Sequence, residues 1–377
     1  AQDEFLNILD EEINREFEHL STLRTPVYFM SYHVSDMNSI VLSSSFGNLM
    51  NTNSDHSRLL NIDIKLGNYD SSTDGKSNQY GMRQAIPLPI TNSEESIKQT
   101  LWMATDIMYK MSSASYNPNA DASDKTQSGI QKLNPETYYD EELPSDIKSI
   151  DTKEWIRKLN ELSIAFKGNK DYIQGDVILR YVYGKKYFIS SEGTKIIQNE
   201  VRAEIQIAAA IRSADGEVIP LHQNYFARIP SELPDQQLIQ SDIERMTKTL
   251  TALQTAEKAE PFAGPAIFSG GASGVFFHEI FGHRIEADRL GSEFDSQTFK
   301  DKMGERVLPK FLQVRADPTA KTYNGKHMTG TYKYDDQGVK SKEVTLVENG
   351  ILKDLLRSRT PLSEGKESNG HARAYYG

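Results

Sequence analysis

The sequence predicts an α+β chain in two domains, the first a mixed α/β unit with antiparallel strands and the second β-rich. Amphipathic helical stretches are separated by runs of strand-type residues, in the order helix, strands, helix, strands, helix, strands. Within the strand runs, Glu192-Gly193, Asp215-Gly216 and Asn349-Gly350 are short hairpin turns, which join antiparallel neighbours. The length, 377 residues, suggests two domains with ample core. We place the first at 1–230, with a polar excursion at about 116–151, and the second at 231–377.

Residues 3–23 carry Phe5, Ile8, Leu9, Ile13, Phe17 and Leu20 at helical spacing, and Pro26 ends that helix. Strands follow at 27–34, 39–47 and 58–67, with Met37-Asn38 and the Asn/Ser/Asp cluster at 51–57 as turns. Glu94 and Glu95 open a helix reaching about Ser113, its apolar stripe formed by Ile97, Leu101, Ala104, Ile107, Met108 and Met111. Trp102 and the methionines are assigned to core. A further helix turns Trp155, Ile156, Leu159 and Leu162 inward. Antiparallel strands then run from 175 to 220, with turns at Gly184-Lys185, Glu192-Gly193 and Asp215-Gly216. A long helix at 235–258 follows, with Leu238, Ile239, Ile243, Met246, Leu250 and Leu253 at helical spacing. Beyond an irregular stretch at 291–322, Asn349-Gly350 sits between VTLVE and ILKDLL as the strongest hairpin signal in the chain.

Composition removes several classes of function. The formal net charge is −10 and no basic stripe is visible, which opposes binding to nucleic acid. No run approaches the roughly 18 apolar residues of a membrane-spanning helix. There is no cysteine, so a thiol nucleophile is excluded and any metal must use His, Asp or Glu. The start, Ala1-Gln2-Asp3, looks like that of an exported protein after signal-peptide removal, which favours an exported or periplasmic location slightly over the alternative, a cytoplasmic one.

The chemistry concentrates at 264–290, GPAIFSGGASGVFFHEIFGHRIEADRL, read as a short apolar strand, a glycine-rich turn and a helix with His278, Glu279 and His283. Two imidazoles and a carboxylate are the ingredients of a zinc hydrolase. The spacing is H-E-x-x-x-H, one residue longer than the H-E-x-x-H of common metalloproteases. On a regular helix, positions five apart lie about 140° round the axis, too far for one metal. The helix is therefore expected to deform or unwind near Phe281-Gly282. Neutral imidazoles suit Zn²⁺, and a glutamate beside a ligand can move a proton from water to a leaving amine.

The flanks of this motif resemble the TldD/PmbA family, the so-called modulators of DNA gyrase. G-x-x-G-V, two large apolar residues, H-E-x-x-G-H and x-x-E-x-D occur in that order, followed by Gly330-Thr331, Asp335-Asp336-Gln337-Gly338 and VTLVENGILKD. The motifs span about 264 to 357; the first 230 residues match only in layout. Retention of His278, Glu279 and His283 is similar to the TldD-like, zinc-binding branch. The resemblance implies a zinc metallopeptidase that cleaves unfolded or small peptides in extended form. It also implies a homodimer, or a heterodimer with a TldE/PmbA-like subunit. Carried over by position, His278 and His283 correspond to zinc ligands and Glu279 to the catalytic glutamate. Glu286 and Asp288 match the motif's tail, as residues behind the ligands or as an alternative ligand. Family members complete the site with a cysteine beyond the N-G-I-L-K hairpin, and this chain has none. It reads as ending in mid-domain, without its C-terminal portion; the alternatives are that Glu286, His371 or an aspartate completes the site, or that no metal binds. A catalytically inactive peptide-binding or partner subunit is the alternative function.

Overall fold

The computed structural model describes residues 3–70, 85–116, 129–291, 297–360 and 367–374. It is an α+β structure built on one seven-stranded sheet. Helix α1 (Glu4–Leu20) starts where the Asp3 carboxylate accepts the Leu6 N–H at 3.1 Å, and it buries the predicted Phe5, Ile8, Leu9, Ile13 and Leu20. Strands β1 (Val27–Ser45) and β2 (Asn48–Leu66) then form one long antiparallel hairpin. A short β3 (Ile86–Pro87), α2 (Glu94–Ser115), β4 (Thr137–Tyr139) and α3 (Thr152–Ser163) lead to β5 (Tyr172–Ser190), β6 (Lys195–Arg212) and β7 (Val218–Ala227). Helix α4 (Gln236–Gln254) closes this part, and α5 (Gly270–Ile280) opens the next. The remainder holds β8 (Val314–Ala316), the paired β9 (Thr322–Tyr323) and β10 (Lys326–His327), and β11 (Val344–Glu348) with β12 (Ile351–Leu352). Strand β11 lies between β12 and β8.

The main sheet runs β3-β2-β1-β5-β6, and the outer edge of β6 takes both β4, in parallel, and β7, antiparallel. Alternation along the strands gives its faces different jobs. Tyr32, Val34, Leu60, Ile64, Tyr187 and Ile189 pack against Leu9, Ile13, Ile97 and Leu101 of α1 and α2. On the same strand parity, Leu42, Leu179, Tyr181, Ile205 and Ile207 meet Leu159 and Leu162 of α3 and Ile239, Ile243 and Leu250 of α4. The sequence boundary after 230 falls before α4, yet α4 is packed into this core. The opposite face, through Phe188 and Ile196, receives Tyr334 from the C-terminal part.

Two turns expected from the sequence are strand interiors. Met37 and Gly184 are cross-strand partners in the middle of β1 and β5. Gly184 is there because the strands approach closely: a Cβ would lie 2.1 Å from the Asp36 carbonyl oxygen. The polar cluster at 51–57 also continues as β2, since β1 supplies its backbone partners and the reversal occurs at Phe46-Gly47, both at positive φ. On α2, Ile97, Leu101 and Ala104 are buried as expected, whereas Trp102, Met103, Ile107 and Met111 face solvent. The segment before α5 is not a strand: 257–269 pairs with nothing regular, and Ile267 is 99% exposed.

Three hairpin turns are as predicted. Gly193 at φ 91°, Gly216 at φ 90° and the pair Asn349 (φ 51°) and Gly350 (φ 78°) occupy the left-handed region that such turns require.

Candidate metal centre

The helix carrying the motif stops inside it. Helix α5 ends at Ile280, Phe281 adopts φ −125° and ψ −50°, and Gly282–Ile285 forms a single 3₁₀ turn. The break cancels the angular mismatch. The His278 and His283 rings come to a centroid separation of 4.4 Å at an interplanar angle of 73°. Gly282 does not take a positive φ, so Phe281, not the glycine, carries the irregular backbone.

Glu279 lies between the two imidazoles. Its carboxylate oxygens are 3.9 Å from His278 Nε2 and 3.9 Å from His283 Nε2. One ligand atom from each of the three residues fits within 4.8 Å of the others, and the cluster is open to solvent on the His278 and Glu279 side. Donors around a tetrahedral zinc at about 2.1 Å stand about 3.4 Å apart, a contraction within reach of side-chain rotation. The donor chemistry therefore fits a zinc-type ion.

His283 is oriented from behind. Its Nδ1 lies 2.8 Å from Glu286 Oε1, and Arg289 Nε donates to Glu286 Oε2 at 2.5 Å. Arg289 Nη2, a donor only, also stands 3.3 Å from Nδ1, but the shorter 2.8 Å contact to a carboxylate, an acceptor only, favours the proton on Nδ1 and the Nε2 lone pair toward the cluster. That is the arrangement by which outer carboxylates fix a metal-binding histidine. Asp288 is not in the cluster. Both its oxygens lie 2.8 Å from Ser358 Oγ, and burial pushes its carboxyl pKa up.

Other residues singled out in the sequence stand elsewhere. His371 is half-buried rather than solvated, with Nδ1 3.0 Å from the Asn369 carbonyl, and burial lowers its pKa. Among the described residues it does not join the metal cluster. Asp335-Asp336-Gln337-Gly338 is a structural turn: the Asp335 carboxylate accepts the backbone N–H groups of Gln337, Val339 and Ala372. Arg289 and Ser358 escaped the sequence reading. Arg289 had a usable signal, lying three residues after Glu286 on one turn, while Ser358 had none.

A helix end that gathers two imidazoles and a carboxylate, on an α+β scaffold, defines a candidate metalloprotein. The likenesses to known proteins carry the assignment further. Residues 263–377 match the family described as the PmbA/TldA metallopeptidase C-terminal domain. A metalloprotease of Methanocaldococcus jannaschii is 29% identical over 263 residues, which is 65% of this chain and 55% of that protein. A zinc metalloprotease TldD homolog of Saccharolobus solfataricus is 27% identical over 201 residues, 51% of this chain and 41% of that protein. The chain thus spans about half the length of the curated relatives it matches. The crystal structure of TldE from Thermococcus kodakarensis shares the fold, with a TM-score of 0.62 at 14% identity over 98% of this chain and 73% of that one. Residues 263–377 thus match the C-terminal metallopeptidase domain of the PmbA/TldA family, and the fold is similar to that of TldE.

Proposed function

We propose that the chain carries the metal centre of a zinc-dependent peptidase that hydrolyses unfolded or small peptides bound in extended form. The observation that supports this best is the convergence of His278, Glu279 and His283 across the break at Phe281. His278 and His283 would hold the zinc ion, which when bound would supply Lewis acidity toward water and the scissile carbonyl. Glu279, between them, takes the proton of the attacking water and returns it to the leaving amine. Glu286 keeps the His283 proton on Nδ1, and Arg289 holds Glu286 in place. Open access on the His278 side suits a substrate without compact structure.

Assembly with a second subunit, either another copy or a TldE-type chain, belongs to the same reading. Helix α5 buries none of its residues, and Val275, Phe276 and Ile280 are 63%, 44% and 43% exposed. Apolar surface of this kind marks a contact site.

The test is peptide cleavage and metal content of the chain and of Glu279→Gln. Stoichiometric zinc with cleavage lost in the variant supports the reading. Unchanged cleavage by Glu279→Gln removes Glu279 from the chemistry. The second reading, a non-catalytic peptide-binding subunit, rests on the cluster supplying only two imidazoles and one carboxylate among the described residues. It predicts peptide affinity indifferent to chelator, without turnover.

A further inference from the structure

The turn that carries His283 is packed chiefly by residues beyond its own helix, which reaches it through the Phe277–Phe281 ring stack. Helix α5 is exposed, whereas Phe281, Ile285 and Ala287 just beyond it are buried with Phe299, Val347 and Leu352. The backbone of that turn is held by the residues after β12. Leu356 donates its N–H to the Ile285 carbonyl, and Ala287 donates to the Leu356 carbonyl, each at 2.9 Å, as a parallel bridge at Glu286. Two residues on, the Ser358 hydroxyl lies 2.8 Å from both oxygens of Asp288 and accepts the Thr360 N–H at 3.0 Å. Among the described residues no cation pairs with this carboxylate, so one hydroxyl is what fixes it.

The next residue anchors the strip to the sheet. Arg359 is 1% exposed and lies with its guanidinium carbon 4.6 Å from the Phe29 ring centroid. It donates to both oxygens of Glu192, on the β5–β6 turn, at 2.8 Å, and to the Gln131 carbonyl at 2.9 and 2.6 Å. One guanidinium nitrogen bridges both Glu192 oxygens while Nε and that same nitrogen meet the Gln131 carbonyl, so the buried side chain is fixed by two acceptors. Residues 356 to 359 thus join the His283 turn at one end and the main sheet at the other.

We propose that Ser358 is a positioning residue for the metal centre, holding the Glu286–Asp288 turn, and with it His283, in register with the sheet to which Arg359 is locked. The proposal rests on the reading of His278 and His283 as metal ligands. Ligand geometry must be held to about 0.5 Å, and losing a residue behind the ligands typically weakens metal binding by about 10- to 100-fold. Ser358 touches neither His278 nor His283; its effect passes through Asp288 and the turn.

The experiment is a Co²⁺ titration, followed by the visible absorption of the bound ion, on the wild-type chain, Ser358→Ala, Ser358→Thr and Ser341→Ala. Ser341 is a control: it is also buried, with its hydroxyl 2.9 Å from the Tyr332 and Lys333 carbonyls. The expected result is Co²⁺ affinity about 10-fold weaker in Ser358→Ala with an altered spectrum, restored in Ser358→Thr and unchanged in Ser341→Ala. The proposal is overturned if wild type binds and Ser358→Ala binds equally well, or if Ser341→Ala weakens binding as much. A wild-type chain that binds no Co²⁺ overturns the metal-centre reading itself, and this proposal with it.

Discussion

His278 and His283 stand five positions apart in sequence, yet their ring centroids are 4.4 Å apart, because the helix between them ends at Ile280. The break is part of the proposed metal centre. An unbroken helix through Gly282–Ile285 would carry one imidazole about 140° away from the other.

Since Gly282 has no positive φ, and a Cβ there would meet nothing closer than His278 Nδ1 at 3.7 Å, Gly282→Ala is expected to keep the site. Zinc affinity within about threefold of wild type is the expected calorimetric result, about 0.7 kcal/mol in binding free energy. A loss of binding would mean that Phe281 cannot hold the break unaided.

Glu286→Gln replaces the acceptor that fixes the His283 proton with an amide able to present either a donor or an acceptor. Zinc binding should weaken by about 10-fold, as is common for the carboxylate behind a ligating histidine. The same calorimetric titration reads it, and unchanged affinity would show that Glu286 does not orient the ring.

Gly184→Ala should be severe for a residue that sequence alone reads as a loop glycine. Its Cβ would meet the Asp36 carbonyl oxygen at 2.1 Å and Met37 Cα at 2.9 Å, between two paired strands. A loss of about 2 kcal/mol or more in urea unfolding is expected, in line with overpacking in a tight core. A neutral variant would contradict the close approach of β1 and β5.

Asp335 gives the fold a pH dependence. Burial pushes its pKa up to about 6, against the backbone N–H groups of Val339, Ala372 and Gln337 that pull it down. A raised folded-state pKa means that the proton is bound more tightly in the folded chain. The stabilisation is therefore full below about pH 4 and is lost as pH rises through about 6. Relative to Asp335→Asn, wild type should lose up to about 3 kcal/mol between pH 4 and 7.5 in chemical denaturation. A constant difference would show that Asp335 does not titrate in this way.

What could be read in the sequence follows from how local its cause is. Leu9, Ile13, Leu101 and Leu159 announce their helices by spacing, and Asn349-Gly350 announces its turn by backbone preference, because both causes lie within a few residues. Met37 and Gly184 misled because each looks like a turn alone, and only their pairing shows that they are strand interiors. The polar residues at 51–57 are strand because β1 lies beside them, a fact no local pattern records. Trp102 looked like core by its chemistry, but its face of α2 is turned to solvent. At the site, His278, Glu279 and His283 and the break between them were legible, since helical geometry itself demanded the break. Ser358 and Arg359 were not, because their partners Asp288 and Glu192 lie 70 and 167 positions away.

The central claim is that His278 and His283 share one metal ion. Zinc titration of the wild-type chain, His278→Ala and His283→Ala by calorimetry, with unfolding temperature checked for each, tests it most directly. One zinc per wild-type chain, with affinity falling by at least about 100-fold in each variant while the fold is kept, is the predicted result. Wild-type affinity in either variant would show that the two imidazoles do not hold the same ion.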